Sequence, residues 1–420
     1  MNYRQPHSEY IKNTIYDYTW NGYQVYNHPA ELTFSFNHNH LIWDNDIPYQ
    51  DGALTFSFNE LQQCQANIAM QSWSDVANVS FTEGQANSAV NLSFKNYQNE
   101  KSAISGYAYY PNTIKFTPIW INYNASDHQN SDTLNYSGRV LIHEIGHSLG
   151  LRHTHDNDYT EQTSVMSYLP AYESGANYRG HYASTPQMYD IAAIQYLYGA
   201  NMHTHTGNTV YGFNSNSQRD YFTANTADAP LIFCVWDAAG NDTFDFSGYQ
   251  QDQLLNLNAG DFSNIGGLTG NVSIAYGVVI ENAIGGSGND KIIGNSVDNI
   301  LTGNGGCDQL WGKGGSNIFR YQSSKDSMTT AADTIHDFKV DKDRIDLSPL
   351  IYSTDDITLV DRFNFSDRTV IAQKYNEVSD ITYLMIDFDN NVHETDMLIK
   401  LTGRHQLSLN NFIVSSPLIA

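Results

Sequence analysis

"HEIGHSLGLRH", residues 143 to 153, holds three of the chain's fifteen histidines in eleven positions. The stretch "GRVLIHEIGHSLG" (138–150) reads as a helix stopped by Gly150. On a helix His143 and His147 project from one face. Their separation suits two nitrogens about 2.0 to 2.1 Å from one Zn²⁺. Were the helix to continue, His153 would stand about 15 Å along its axis from His143, beyond reach of the same ion. Glycine tolerates positive φ, so Gly150 can end the helix in a left-handed turn and bring His153 back as third ligand. Three neutral imidazoles leave a fourth position for water, whose pKa zinc lowers towards about 7. Glu144 is the adjacent base that takes its proton and passes it to a leaving amine. The competing reading is a helix with scattered surface histidines. Five fixed positions match by chance about once in 10⁴ chains or fewer.

Downstream, "SVMSY" (164–168) supplies Met166 and Tyr168. H-E-x-x-H-x-x-G-x-x-H followed by a methionine turn is the metzincin pattern. Met166 is expected beneath the ligands as an apolar floor that does not touch metal.

The chain has 420 residues, more than one core usually serves, which predicts two domains. Acidic residues outnumber basic ones 45 to 21, a formal charge of −24. That excludes nucleic acid and an anionic membrane surface as partners and is compatible with hard cations. Cys64, Cys234 and Cys307 cannot form a disulfide framework, since one must stay unpaired within the chain. The N-terminus lacks the apolar core and cleavage site of a Sec signal peptide, and no run of 18 apolar residues predicts a membrane span.

The first half mixes periods. "ELTFSF" (31–36), "VSFTEG" and "VNLSFKNY" alternate like strands. Residues 59–77 place Leu61, Ile68, Trp73 and Val76 at helical spacing, and 184–199 read as a helix opened by Ser184 or Thr185 before Pro186 and closed by Gly199. This predicts an α/β (α+β) domain over 1–205. Beyond, helical periodicity fades and nine-residue units begin at Gly285, Gly294, Gly303 and Gly312. Each carries an apolar eighth residue: Ile292, Leu301, Leu310 and Phe319. The first unit, "GGSGNDKII", fits the calcium-binding β-roll consensus in full. An all-β parallel β-roll domain over 206–420 is expected.

In such a roll each nonapeptide is half a turn, and calcium sits between loops one full turn apart, ligated by carbonyls and carboxylates. Units one and three therefore pair, with Asp290 facing Asp308 across a strong site that includes Gly306. Units two and four carry Asn299 and Asn317 at the aspartate positions, so that side is expected to bind calcium weakly or not at all.

The chain resembles the serralysins, secreted bacterial metzincin endopeptidases with a C-terminal RTX β-roll. The residues that carry the resemblance are "HEIGHSLGLRH", "SVMSY", "GHYASTPQMYDIAAIQYLYGAN", "TVYGFNSNSQRDYF", "VWDAAGNDTFDFSGY" and "GNVSIAYGVVIENAIGGSGND", spread over most of 30–350. The resemblance implies that Tyr168 is a displaceable zinc ligand whose hydroxyl swings to stabilise the oxyanion. It implies an edge strand near "SGYAYYP" (105–111), with Gly106, Tyr107 and Ala108 pairing to an extended substrate by β-augmentation. It implies calcium at His205, Gly207, Thr209, Asp237, Ala239 and Asp242, and at Val279, Glu281, Gly286, Gly288 and Asp290. Asp337 and Asp343, in a segment that closes the roll, are weaker candidates. Only twelve residues separate His153 from Met166, fewer than in relatives, which leaves cleavage preference open. His155 and Asp156 in that loop are read as solvated, with ligation as the alternative.

The resulting expectation is a secreted, monomeric zinc endopeptidase with one catalytic Zn²⁺ and several structural Ca²⁺, acting on proteins outside the cell. The resemblance also implies type I secretion by an uncleaved C-terminal signal, although this chain ends in "NNFIV" and then "SSPLIA". A proteinaceous inhibitor is a further implied partner. The alternatives are a calcium-folded RTX binding or adhesion protein with a vestigial metal site, and a processing protease with a single target. Zymography with and without chelator separates the first, and peptide-library profiling the second.

Overall fold

The computed structural model describes residues 8–36, 54–85, 89–98, 104–125, 127–154, 159–351, 357–361, 369–388 and 395–415. The chain divides into two compact units. The first comprises Met1–Thr206 with Ile232–Ala238 and Leu268–Val278; the second comprises Gly207–Leu231, Ala239–Gly267 and Val279–Ala420.

In the first unit the alternating stretches become strands. After a short helix α1 (Ser8–Thr14), a hairpin of β1 (Tyr18–Thr19) and β2 (Gly22–Tyr23) leads to the main sheet. Its members are β3 (Ala30–Ser35), β4 (Leu54–Phe56), β5 (Val79–Glu83), β6 (Leu92–Gln98), β7 (Gly106–Ala108) and β8 (Thr117–Asn122). The order is β5-β3-β6-β8-β7, with β4 also on β6. Pairing is parallel except for β4 and β7, which run antiparallel to their neighbours. This is the α/β (α+β) architecture expected.

Helix α2 (Glu60–Val76) starts with a capping box: Asn59 accepts Gln62 N–H at 2.8 Å, and Gln62 Oε1 accepts Asn59 N–H at 3.0 Å. Its buried face differs from the expected one. Leu61 is 54% exposed and Ile68 only half-buried, while Gln62, Ala66, Ala69, Met70, Trp73 and Val76 face inward. The cause is polar: the buried Gln62 amide exchanges two 2.8 Å hydrogen bonds with Asn96 of β6, which turns Leu61 outward. Helix α3 is Tyr136–Ser148, and α4 is Met188–Tyr198. Helix α4 begins later than Ser184 or Thr185 because those hydroxyls are committed elsewhere. Ser184 donates to Ile232 O and Thr185 accepts Cys234 N–H, at 2.8 and 3.0 Å. Gln187 and Asp190 form the capping box instead. Among the described residues, no helix is long and apolar enough to cross a membrane.

The second unit coils as a parallel β-roll. Unit-one strand Lys291–Ile293 pairs with unit-three strand Gln309–Trp311, aligning Ile292 with Leu310. Unit-two strand Ile300–Thr302 pairs with unit-four strand Ile318–Arg320, aligning Leu301 with Phe319. All four apolar residues are at most 1% exposed, so they are the core of the roll. The coil extends past the repeats on both sides. Val210–Gly212, Thr243–Asp245 and Asn282–Ile284 precede them on one face, and Arg344–Asp346 and Phe412–Ile413 follow. On the other face Thr334–Ile335 leads into antiparallel strands Met397–Thr402, Ile381–Asp387 and Thr369–Asn376.

Candidate active site

Asn135 caps α3 by accepting Gly138 N–H at 3.0 Å. The helix ends where glycine was expected to end it. Gly150 has φ +102°, its N–H donates to His147 O, and Leu151 N–H donates to Gly146 O, both at 2.9 Å. This is the paired hydrogen bonding of a left-handed helix terminus. The bend is held from outside by the N-terminal segment. Tyr16 N–H donates to Gly150 O at 2.7 Å, Arg152 N–H to Thr14 O at 2.6 Å, and Trp20 Nε1 to Ser148 O at 2.9 Å.

His143 Nδ1 lies 2.8 Å from Val165 O, and His147 Nδ1 lies 2.7 Å from Leu151 O. A carbonyl only accepts, so each Nδ1 carries the proton and each Nε2 presents a lone pair. His153 Nε2 is 3.1 Å from His143 Nε2 and 2.8 Å from His147 Nε2, and the Tyr168 hydroxyl is 2.6 Å from it. Burial holds the first two imidazoles neutral, His147 down at about 3 and His143 well below its ordinary range. Nitrogens tetrahedrally bound to one zinc stand about 3.3 Å apart. The 3.1 and 2.8 Å spacings here come within about half an ångström of that, and converging lone pairs repel unless a cation lies among them. The donor set therefore fits zinc. It is the cluster of three ligand-type side chains found among the described residues.

Glu144 is 4% exposed. It accepts the N–H of Ala108, and burial pushes its carboxyl up to about 8, against the opposing pull of Arg139. Its Oε2 has no hydrogen-bond partner among the described residues. A side chain on Gly106 would meet Glu144 Oε1 at 3.0 Å, so this glycine lets the strand approach the carboxylate. Gly106, Tyr107 and Ala108 form β7, which among the described residues is the edge of the sheet and pairs with β8. Met166 is fully buried against α3, where a Cβ on Gly146 would meet its sulfur at 2.7 Å. Desolvation of the Tyr168 hydroxyl, then the charge of Glu144, push that phenol up to about 12, so it stays a donor. His155 and Asp156 lie outside the described residues.

Sequence reasoning missed Asp190 and Arg139. Asp190 sits three residues after the Gln187 cap, which is the visible signal for it. Its carboxylate also accepts the Ser164 hydroxyl at 2.6 Å and Val165 N–H at 2.7 Å. Arg139 is four residues before His143, the spacing that places it on the ligand face of the helix.

In the roll, Asp308 Oδ1 accepts Asp290 N–H at 2.7 Å, and Asp290 accepts Gly286 and Gln253 N–H at 2.6 and 2.8 Å. A Cβ on Gly288 would meet Gln251 O at 2.4 Å, and one on Gly306 would meet Gly288 O at 2.1 Å, so the loops stack at glycine distance. Asp308 Oδ2 is buried without a partner among the described residues, an acceptor that a cation would satisfy. The ladder continues to a residue the repeat count did not reach: Asp333 Oδ1 accepts Asp308 N–H at 2.8 Å. Thr209 N–H donates to Asp242 Oδ1 at 2.8 Å, and a Cβ on Gly240 would meet Gly207 O at 2.4 Å. Glu281 Oε2 accepts Asp242 N–H at 2.7 Å, which joins it to that group, while Val279 is 39% exposed. Ala239 opens a segment of the same unit; His205, with φ +47°, and Asp237 belong to the first unit. On the asparagine side, Asn299 Nδ2 donates to Glu281 O at 2.9 Å and Asn317 Nδ2 to Gly314 O at 2.9 Å. Asp337 accepts two backbone N–H groups, of Gly312 and Lys313, and Asp343 accepts those of Asn317 and Lys339.

A family model described as Peptidase M10 serralysin C terminal matches residues 200–414, and one described as Matrixin matches 49–199. Serralysin G of Dickeya chrysanthemi is 43% identical over 95% of this chain and 86% of its own length. Serralysin of Proteus mirabilis is 41% identical over 92% and 88%, and Metalloprotease AprA of Pseudomonas entomophila 42% over 85% and 80%. With both halves matched in order and relatives covered nearly end to end, the chain belongs to the serralysin family of metalloendopeptidases.

Proposed function

We propose that the protein is a secreted zinc endopeptidase that hydrolyses internal bonds of protein substrates, with His143, His147 and His153 as the zinc ligands. The observation that carries this is the convergence of three Nε2 lone pairs beside the buried Glu144 carboxylate. When bound, zinc supplies a Lewis acid that polarises the scissile carbonyl and acidifies water. Edge strand β7, Gly106–Ala108, aligns an extended peptide by β-augmentation. Glu144 takes the proton of the attacking water and returns it to the leaving nitrogen. Tyr168, whose hydroxyl lies 2.6 Å from His153 Nε2 and stays protonated, donates to the developing oxyanion. Met166 packs beneath the ligands.

The roll binds calcium on its aspartate side through Asp290, Gly306, Asp308 and Asp333, and around Gly207, Thr209 and Asp242. In low-calcium cytosol these carboxylates repel one another and the roll stays unfolded; outside the cell, calcium binding becomes folding energy. This suits export by type I secretion. Purified protein with zinc and calcium degrades casein in a gel assay, and a zinc chelator abolishes it. Glu144→Ala abolishes cleavage while elemental analysis still finds about one zinc per chain. A native protein that carries no zinc, or a Glu144→Ala variant that cleaves casein at the wild-type rate, overturns the proposal.

A further inference from the structure

We infer that Arg139 and Glu161 are positioning residues for the zinc centre: one buried guanidinium fixes the methionine turn and, through it, both His143 and Tyr168. This rests on the reading of the three histidines as zinc ligands.

Arg139 is 5% exposed, one helical turn before His143. Its Nη2 donates to Ser167 O at 2.5 Å and to Val165 O at 3.2 Å. These carbonyls flank Met166, so a single nitrogen spans the turn. Val165 O is also the acceptor of His143 Nδ1–H at 2.8 Å. The same carbonyl thus accepts hydrogen bonds from both the first ligand and the guanidinium. Ser167 O belongs to the peptide bond that leads into Tyr168. Displacing Arg139 would therefore release the acceptor that sets the first imidazole's tautomer and the backbone that aims the phenol.

A charge this deep requires a counter-charge. Glu161 supplies it, with Oε1 3.0 Å from Nη2. Glu161 is itself tethered, its N–H donating to Leu169 O at 2.8 Å just past Tyr168. The pair closes a ring: α3, Arg139, the methionine turn, Leu169, Glu161, and Arg139 again. Bonds to a charged donor are roughly twice as strong as neutral ones. All three contacts fall on Nη2, whose two hydrogens two carbonyls and a carboxylate share, held in the fixed plane of the guanidinium.

Hydrogen-bond partners that orient metal ligands change metal affinity or activity by about 10- to 100-fold when removed. The test uses the full-length, calcium-loaded protein with Arg139→Met, Arg139→Lys and Glu161→Gln. For each, zinc release into excess chelator is timed, the visible spectrum of the cobalt-substituted protein is recorded, and kcat and KM are measured on a fluorogenic peptide. Arg139→Met is expected to release zinc about tenfold faster and to lower kcat about tenfold with KM changed less than about twofold. Its cobalt spectrum shifts. Arg139→Lys recovers part of each effect, and Glu161→Gln shows the same directions at smaller size. If Arg139→Met does not fold, the Lys and Gln variants decide on the same three readouts. Wild-type zinc release, spectrum and kcat in the folded variants would overturn the inference and leave the zinc reading intact. A wild-type protein that takes up no zinc or cobalt would overturn the zinc reading itself.

Discussion

Asp190 accepts the N–H of Val165 at 2.7 Å, so the first turn of α4 grips the Ser164–Val165 peptide bond, one residue before Met166. It also accepts the Ser164 hydroxyl and Gln187 N–H. Three donors converge on one buried carboxylate, while Arg139 holds the carbonyls of Val165 and Ser167.

Asp190→Asn is expected to lower stability, since an amide turns two hydrogens towards groups that are already donors. The loss is about 1 to 3 kcal/mol for a buried donor left unmatched. Thermal melts in saturating calcium and zinc measure it, and an unchanged midpoint would refute the assigned role.

Tyr168→Phe removes the hydroxyl 2.6 Å from His153 Nε2. A single oxyanion donor is worth about 10² to 10³ in kcat. A fall in kcat of about 100-fold is expected, with KM and bound zinc near wild type. A variant with full kcat would show that the hydroxyl has no part in the reaction.

On the asparagine face of the roll, amide hydrogens from Asn299 and Asn317 already satisfy the carbonyls of Glu281 and Gly314. Replacing both asparagines by aspartate removes those donors and adds two carboxylates, which creates a calcium requirement. The double variant should bind at least one more calcium per chain by elemental analysis after gel filtration. It should also need more calcium to reach its full circular-dichroism signal. An unchanged calcium count would show that the amides are not what keeps this side free of the ion.

The aspartate side predicts a pH effect in the calcium-free protein. Burial raises Asp290 to about 6 and raises Asp308 and Asp333 further, with the charge of Asp333 adding at Asp308 and that of Asp326 at Asp333. A carboxyl raised on folding stabilises fully below the unfolded value near about 4, and that contribution is lost as pH climbs through the folded value. The chelated roll, unfolded at neutral pH, should therefore recover circular-dichroism signal as pH falls from 8 to 5. Calcium replaces those protons, so its binding at pH 6 should release them. Calorimetry in two buffers of different ionisation enthalpy detects the release, and identical heats would contradict it.

The eleven-residue motif was legible because its chemistry is local. Spacing on a helix places His143 and His147 together, and Gly150 is the residue that tolerates φ +102°. The nine-residue period likewise announced the coil, because each half turn buries one apolar residue at a fixed position. What stayed hidden was long-range polar commitment. Ser184 and Thr185 look like helix caps until Ile232 and Cys234 claim their hydroxyls. Leu61 looks like core until Gln62 finds Asn96. Asp333 falls outside the repeat, yet joins Asp308 one turn of the coil later.

Sequence by itself therefore determined which atoms could meet a metal and where the chain must bend to bring them round. Only the tertiary structure decided which groups hold them there: Arg139, Glu161, Asp190 and the N-terminal segment at Tyr16 and Trp20. The reason is physical. Helical and β-roll periods are set by backbone geometry within a few residues, whereas a buried hydrogen bond forms with whichever partner the folded chain delivers.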